Sequence, residues 1–384
     1  MPPSTSLRIL LLMGTSHGYS RLLMDGMTQY LHENGHIAEF EFRGINEPLP
    51  LWVKDWEGDG ILVRDNSPAT FRVIERMGIP SLRVHCPDHP SDLDTDEDSL
   101  AEMVYDYFAS RGFQHFAFYT QCHLYWTRRR RDAFVRRVGQ AGKKCHLFEQ
   151  KTKNTPPFFA WSAAEKERFI RWLHELPKPV ALLAAYDFHA RVVLDVCHSE
   201  KIPVPNEIAV LGVTNEEWFC NIQNPPLSSV IVNGLHVGRE AARILCDKIK
   251  GKEIPPLPLL FPPIGIQTRR STDRIAVEDE DMVKAMTLLR DHACQGITIE
   301  EIVGAISLSR RTLERKFKRA FGRTPGEELL SVRLERAREL LRSTTLPIGK
   351  IAFDLSFCSL AYFVYHFRRK NGLTPQEYRN RNRC

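Results

Sequence analysis

Side chains able to bind hydroxyl groups follow four apolar segments within residues 1–270, at the point where each segment ends. They are Tyr19, Arg21, Trp126 with the arginine run 128–131, Asp187, Thr214, Asn215, Glu216 and Trp218. Carboxylates and guanidinium groups bind neighbouring hydroxyls in pairs, and aromatic rings cover the flat C–H face of a cyclic polyol. The set therefore predicts a site for a sugar or a similar polyol. The alternative for Asp187 and Asn215 is that each only caps the helix that it begins.

A different chemistry is predicted for the basic segment SLSRRTLERKFKRAFGRTP at 307–325. Helical spacing places Leu313, Phe317 and Phe321 on the core side of this segment. The outward side chains near its start, which suit the edges of nucleic-acid bases, are Ser309, Arg310, Arg311, Thr312 and Arg315. The later ones, which suit phosphate groups, are Lys316, Lys318 and Arg319. The alternative is an exposed helix whose arginines contact only solvent.

The same pattern occurs a second time. Four residues of the first copy match four of the second at a separation of 50: Leu313, Phe317, Gly322 and Pro325 with Phe363, Phe367, Gly372 and Pro375. A capping box at Thr298 and Glu301 precedes the first copy. Two helix-turn-helix units joined by a long amphipathic helix can place two helices in successive major grooves, about 34 Å apart. The outward candidates in the second copy are Ser359, Leu360, Tyr362, His366 and Arg369.

Charge divides the chain into two parts. Residues 1–274 are electrically balanced, and the whole formal net charge of +6 lies in residues 275–384, which hold 20 Lys+Arg and 14 Asp+Glu. A basic part attached to a neutral one indicates a polyanionic partner, duplex DNA, for the C-terminal part only. We therefore predict a first domain at 1–274, a linker at about 270–280 and a DNA-binding domain at 280–384.

Short apolar runs alternate with helical patterns through the first domain, which favours parallel sheets covered on both faces. Predicted helices include 99–111, 128–139, 163–176 and 187–198. The number of strands exceeds one compact sheet, so we expect an α/β fold with two lobes, followed by an all-α domain. Ligands bind at the carboxyl ends of such strands, where the sugar-binding candidates lie.

The apolar run near the N-terminus is too short for a membrane span, and nine scattered cysteines without a CxxC pair are typical of free thiols. We therefore expect a cytoplasmic protein with no membrane contact. The acidic segment 92–98 lacks the Gly and Glu of a calcium loop, and is interpreted as negative charge at a helix start. We predict no metal, no cofactor and no catalytic residue.

The segments LSRRTLERKFKRAFGRTP, RLERARELLRSTTLPIGKIAFDLSF and YFVYHFRRKNGLTPQEYR resemble the DNA-binding domain of the AraC/XylS family of transcription regulators over about 100 residues. Ser356 stands where the second turn of that family usually has glycine. The N-terminal part of the chain, which ends in LPLLFPPIGIQTRRST, resembles the LacI/GalR and periplasmic sugar-binding fold. The combination resembles bacterial regulators of xylose operons.

The resemblance implies specific ligand-binding residues. Arg130, in RRDAF, fits an arginine that clamps sugar hydroxyls, and Asp187 fits an aspartate of the second lobe. Thr214 stands where the sensor family has a carboxylate, which leaves D-xylose, a related pentose or another sugar open as the effector.

The resemblance also implies a homodimer on a repeated DNA site and contact with RNA polymerase. Activation and repression both remain open, with activation of a pentose operon as the main expectation. Three other classes fit less well. A periplasmic receptor lacks a DNA-binding tail, a DNA-repair methyltransferase needs a different context around Cys122, and a sugar-converting enzyme needs a catalytic pair.

Overall fold

The computed structural model describes residues 6–14, 18–43, 47–65, 67–120, 124–149, 162–277 and 279–382. They form two units. Unit 1 consists of residues 1–105 and 115–273, and unit 2 of residues 106–114 and 274–384. The packing of 106–114 within unit 2 is a feature that the sequence pattern does not indicate.

The elements of unit 1 alternate as an α/β fold requires. In chain order they are β1 (Arg8–Gly14), α1 (Gly18–Glu33), β2 (Ile37–Arg43), β3 (Gly60–Arg64), α2 (Pro68–Met77), β4 (Ser81–Arg83), β5 (Leu93–Thr95), α3 (Glu97–Ala109), whose last turn belongs to unit 2, β6 (His115–Thr120), α4 (Tyr125–Gln140), β7 (Cys145–Glu149), α5 (Ala163–Glu175), β8 (Val180–Ala184), α6 (Asp187–Ser199), β9 (Ile208–Val213), α7 (Glu217–Asn221), β10 (Ser228–Ile231), α8 (Gly234–Ile249), β11 (Leu259–Phe261) and β12 (Gly265–Gln267).

Two sheets form the two lobes of unit 1. The first is a parallel sheet in the order β2-β1-β3-β4, and the second has the order β12-β10-β9-β8-β6-β7, parallel except for β12. Their central strands are buried on both faces, as the continuous apolar runs predict. The predicted two-lobe α/β fold is confirmed.

The first lobe is completed by a helix from much later in the chain. α8 packs against α1 so closely that a Cβ atom added to Gly26 would lie 1.9 Å from the carbonyl oxygen of Leu235. A Cβ atom added to Gly238 would lie 2.0 Å from the carbonyl oxygen of Leu23. Only glycine permits these two helix backbones to approach so closely.

Two predicted helix starts were wrong by a fraction of a turn. The helix predicted to begin at residue 99 begins at Glu97, because Asp96 accepts hydrogen bonds from the Ser99 backbone and hydroxyl. The helix predicted to begin at residue 128 begins at Tyr125, whose backbone N–H donates to Asp88 at 3.0 Å. That second partner is distant in sequence, so local patterns do not reveal it.

Unit 2 is helical. Its elements are α9 (Glu280–His292), α10 (Ile299–Ile306), α11 (Arg310–Phe321), α12 (Pro325–Ser343), α13 (Ile348–Asp354), α14 (Leu360–Asn371) and α15 (Pro375–Asn382). Leu313 and Phe317 are buried in one hydrophobic cluster, and Phe363 and Phe367 in a second. The predicted pair of helix-turn-helix units and the capping box before α10 are confirmed.

The turns of the two helix-turn-helix units in unit 2 share one backbone feature. Ser307 and Ser356 both have left-handed conformations, with φ of 54° and 57°. The Ser356 hydroxyl donates a hydrogen bond to the Cys294 carbonyl at 3.2 Å, whereas the Ser307 side chain is exposed. Serine therefore adopts the left-handed conformation in both turns, a conformation that favours glycine.

Candidate ligand site and nucleic-acid interface

Arg130 lies buried in unit 1 and is held from three directions. Its Nε and Nη2 atoms donate to the two carboxylate oxygens of Glu97 at 2.8 and 2.9 Å, and its Nη1 donates to the Ala185 carbonyl at 2.6 Å. The guanidinium lies 4.9 Å from the centre of the Trp126 ring. Of the arginine run 128–131, Arg130 is the residue that the structure buries.

Asp187 is fully buried at the start of α6 and binds the loop after β9. One carboxylate oxygen accepts from the Thr214 hydroxyl at 2.9 Å and from the Glu216 N–H at 3.0 Å, and the other accepts from the Ser229 hydroxyl at 2.6 Å. Burial raises the pKa of Asp187 to about 6. All three donors lie outside α6, so this carboxylate does not serve only to cap its own helix.

The loop that Asp187 holds has a strained backbone. Thr214 has φ of 110° and Asn215 has φ of 51°, both in the region that favours glycine. The Asn215 side-chain oxygen accepts from the Arg269 guanidinium at 2.9 Å, and the Asn215 backbone N–H donates to the Ser229 hydroxyl at 3.0 Å. A strained loop fixed by a buried carboxylate is typical of a binding site.

Glu216 joins the two lobes. Its carboxylate accepts from the Arg21 guanidinium at 2.6 Å and from the Gly18 N–H at 3.3 Å, both in α1, and from Trp218 at 2.9 Å. The predicted ligand residues Arg21 and Glu216 are thus brought together and bind each other. Residues 15–17, which precede α1, and Cys122 lie outside the described residues.

A polar network that we did not predict lies beside Tyr19. The Arg64 guanidinium donates to the Ser20 hydroxyl at 3.1 Å and to the His85 carbonyl at 2.5 Å. The His85 ring lies 4.8 Å from the Tyr19 ring and 3.0 Å from the Thr95 hydroxyl. Burial lowers the pKa of His85 to about 4, so the ring is neutral at neutral pH.

Two carboxylates of the acidic segment 92–98 complete this network. Asp94 accepts from Arg129 at 2.6 Å, and Glu97 binds Arg130. The interpretation of this segment as helix-start charge covers Glu97 and Asp98, which begin α3, but misses the pairing with α4. The sequence feature that could have revealed this pairing is an acidic segment followed, later in the chain, by an arginine run. Arg64 ends β3, so the rule that selected the other candidates applies to it as well.

In unit 2, some cations of α11 are paired with carboxylates and others have no such partner among the described residues. The side chains of Arg311, Arg315, Lys318 and Arg319 form no ion pair or hydrogen bond among the described residues. Arg310 binds Glu300 and Glu314, at 2.5 and 3.1 Å. Lys316 binds Asp279 at 2.9 Å, with Asp281 at 3.9 Å. The Thr312 hydroxyl lies 2.8 Å from that of Ser309, which caps the helix.

The second helix, α14, presents a more apolar surface. Leu360 and Tyr365 are 50% and 60% exposed, and the Tyr362 ring lies 4.2 Å from the His366 ring. Ser359 caps this helix by accepting from the Tyr362 N–H at 3.1 Å, and Arg369 is exposed. We did not predict Tyr365, which follows Tyr362 at the outward spacing of one helical turn.

Family models match both parts of the chain. A periplasmic binding protein-like domain matches residues 105–272, and a helix-turn-helix domain matches residues 302–381. Among the described residues, no helix is long and apolar enough to cross a membrane.

Two curated relatives and one solved structure match over nearly the full length, and a further structure matches the N-terminal part of the fold. The xylose operon regulatory protein of Escherichia coli strain K12 is 31% identical, over 98% of this chain and 97% of its own. That of Haemophilus influenzae is 28% identical, over 97% and 98%. The structure of the xylose-binding transcription activator XylR is 29% identical with a TM-score of 0.61, covering 99% of this chain and 100% of its own. A regulator CelR–cellobiose complex, 17% identical, shares the fold of 69% of this chain and 84% of its own at a TM-score of 0.56.

Proposed function

The chain belongs to the family of the xylose operon regulatory proteins, and on that premise we propose that a small sugar binds between its lobes and controls a promoter for sugar use. The prediction of a sugar-responsive, sequence-specific DNA-binding transcription regulator is confirmed. Its relatives are transcription regulators, and we propose that this chain likewise acts by binding and not by catalysis. A pentose operon, under activation, is the proposed target.

The observation that carries the proposal is the direct connection of the lobes through predicted ligand residues. Arg21 of the first lobe binds Glu216 of the second, next to the loop that Asp187 fixes. A ligand that inserts hydroxyls among these groups has different contacts in open and closed lobes. That difference in affinity is what a conformational switch requires.

We assign ligand roles to the predicted residues according to their contacts. Arg130 and Asp187 present or orient polar groups at the carboxyl ends of the strands. The Trp126 ring, which lies 6.3 Å from the Tyr186 ring, supplies the flat apolar face. The Tyr19 hydroxyl has no hydrogen bond among the described residues and is therefore free to bind a ligand hydroxyl. Asn215 and Thr214 contribute to ligand binding mainly by fixing the backbone conformation of the loop that contains them.

We propose that α11 and α14 enter successive major grooves of duplex DNA. Arg311 and Arg315 read bases, because arginine binds the O6 and N7 atoms of guanine in pairs and neither side chain has a partner among the described residues. Lys318 and Arg319 bind phosphates. Lys316 contributes less, because two carboxylates at the start of α9 already neutralise it. Leu360 suits the methyl group of thymine, which has no hydrogen-bonding atoms.

We also propose a homodimer that binds two half-sites, with RNA polymerase as the partner at the promoter. A dimer fits the two-fold symmetry of repeated operators. Size-exclusion chromatography with light scattering, over a wide range of protein concentrations, measures this directly.

The first test measures sugar binding. Pentoses and hexoses are added to the full chain, and the melting temperature is followed. A bound sugar at about 100 times its Kd adds about 2.7 kcal/mol to the free energy of unfolding. Asp187→Asn and Trp126→Leu should weaken that response. No response to any pentose, hexose or acidic derivative would contradict the sugar-sensing function.

The second test measures DNA binding on a sequence selected from a random pool. Arg311→Ala or Arg315→Ala should cost about 1–3 kcal/mol and relax preference at one base position. Lys318→Ala should weaken all sequences equally and lower the salt slope by about one unit. Lys316→Ala is the matched control and should change the slope less. Equal effects of the two lysines would contradict the proposed role of the Asp279 pair.

A further inference from the structure

Three arginines of the ligand site are paired with carboxylates, and Arg64 differs from them. Arg21 binds Glu216 at 2.6 Å, Arg129 binds Asp94 at 2.6 Å and Arg130 binds Glu97 at 2.8 Å. Arg64 has no carboxylate oxygen of the described residues within 4.0 Å. Apart from the Glu149 side chain, the parts of unit 1 that the structure does not describe contain no Asp or Glu.

Arg64 is placed where a ligand would bind. It is the last residue of β3, at the carboxyl end of the first sheet, and its guanidinium carbon lies 6.0 Å from the centre of the Tyr19 ring. Its two hydrogen bonds, to Ser20 and His85, go to neutral oxygens through Nε and Nη1. Its Nη2 atom makes no hydrogen bond within the described part of the chain.

Neighbouring groups do not neutralise this charge. The thiol of Cys86 is protonated at neutral pH, because burial raises its pKa to about 11. Burial also raises the pKa of the Tyr19 and Tyr186 hydroxyls, which remain neutral. Asp94 acts on Arg64 at a distance but is already bound to Arg129.

Asp187, the remaining buried carboxylate of the site, is also no partner for Arg64. Its oxygens accept from three donors of its own lobe, and neither lies within ion-pair distance of Arg64. Desolvation lowers the pKa of Arg64, so its charge is held at a free-energy cost that a bound anion would offset.

We propose that the effector of this protein is an anionic sugar, with a carboxylate or phosphate group that Arg64 binds through its free Nη2 atom. Guanidinium groups bind both anions with charge-assisted hydrogen bonds of matching geometry. The hydroxyls of such a sugar would contact the groups assigned above. This inference rests on the proposed sugar response and specifies its ligand. The opposing interpretation is that Arg64 only holds the His85 carbonyl, where the backbone has φ of 47°.

The test compares sugars that differ only in the anionic group. Calorimetry and melting curves of the full chain are recorded with D-xylose, D-glucose and D-glucuronate, which share the pyranose ring, and with D-glucose 6-phosphate. We expect at least one acidic sugar to bind about 10–100-fold more tightly than its neutral counterpart. The carboxylate and phosphate arms identify the anion. The preference should decrease as KCl is raised, since it is electrostatic.

Arg64→Gln should abolish that preference, and Arg64→Lys should retain part of it. Arg8→Gln is the matched control, because Arg8 has the same charge, lies at the opposite end of the same sheet and binds Glu39 at 2.8 Å. It should leave the preference unchanged. The comparison of sugars on the unmodified protein decides the question even if an Arg64 variant folds poorly.

The outcomes separate this inference from the sugar response on which it rests. If neutral sugars bind as tightly as their acids, or if Arg64→Gln keeps the preference, the anionic effector is refuted and the sugar response stands. If no sugar of either kind binds, both are refuted. If the acidic sugar alone binds and alters DNA binding, both are supported.

Discussion

Two buried groups of unit 1 should have opposite effects on its stability in the same pH range. The folded chain raises the pKa of Asp187 from 3.8 to about 6, mainly by burial. It lowers the pKa of His85 from 6.5 to about 4, also by burial, although Asp94 at 3.6 Å opposes the shift. Between pH 3.8 and about 6, Asp187 is therefore protonated in the folded chain and ionised in the unfolded chain. Between about pH 4 and pH 6.5, His85 is neutral in the folded chain and protonated in the unfolded chain.

The signs follow from proton linkage. Asp187 contributes stability that is present below pH 3.8 and is lost as the pH rises through about 6. His85 contributes stability that is present above pH 6.5 and is lost as the pH falls through about 4. A shift of about two pKa units, at about 1.36 kcal/mol each, gives about 3 kcal/mol for either group. In the unmodified protein the two effects nearly cancel.

Single substitutions should uncover each effect. Between about pH 4.5 and pH 7, the free energy of unfolding of Asp187→Asn should rise relative to the unmodified protein by about 2 kcal/mol. That of His85→Asn should fall by a similar amount over the same range. Asparagine suits position 85 because it tolerates the positive φ there.

Urea unfolding followed by tryptophan fluorescence measures this in the full chain. All six tryptophans lie between residues 52 and 218, so the signal reports unit 1 alone. The double variant should regain the weak pH dependence of the unmodified protein. Differences that stay constant with pH for both single variants would refute the assignment of these two protonation states.

Other substitutions test the packing of the two units. Arg130→Ala should lower the free energy of unfolding by about 3–5 kcal/mol, because Glu97 is left buried and unpaired, and adding Glu97→Gln should recover part of the loss in the same urea assay. Ser307→Gly should raise the free energy of unfolding of unit 2 by about 0.5–1 kcal/mol in circular dichroism melts, because it relieves a left-handed serine. Ser356→Gly should gain less, because it also removes a hydrogen bond; an equal gain at both positions would refute that bond's contribution. Gly238→Ala should lower the free energy of unfolding by about 3 kcal/mol or more, since its Cβ atom would overlap a backbone carbonyl; an unchanged urea midpoint would contradict the close helix crossing.

Local patterns were enough to predict the sheets, the helix-turn-helix pair and the capping box, because each depends on neighbours close in sequence. They also placed Asp187 just after a buried strand, since that position is a local feature. They did not show that Glu97 binds Arg130 or that Asp88 caps α4, because these partners are 33 and 37 residues apart. The pairing of Lys316 with Asp279 was missed for the same reason, and it changes which lysine suits a phosphate.

The crossing of α1 and α8 has a consequence for biosynthesis. The chain emerges from the ribosome from its N-terminus, so α1 and the first four strands are made before the second lobe. The surface of α1 around Gly26 is covered by α8, which begins at Gly234. The first lobe therefore lacks α8 until residues 234–249 have been made, after most strands of the second sheet. Until then the apolar surface of α1 that includes Leu23 and Met27 is not covered by α8, and such surfaces make incompletely folded chains prone to aggregate.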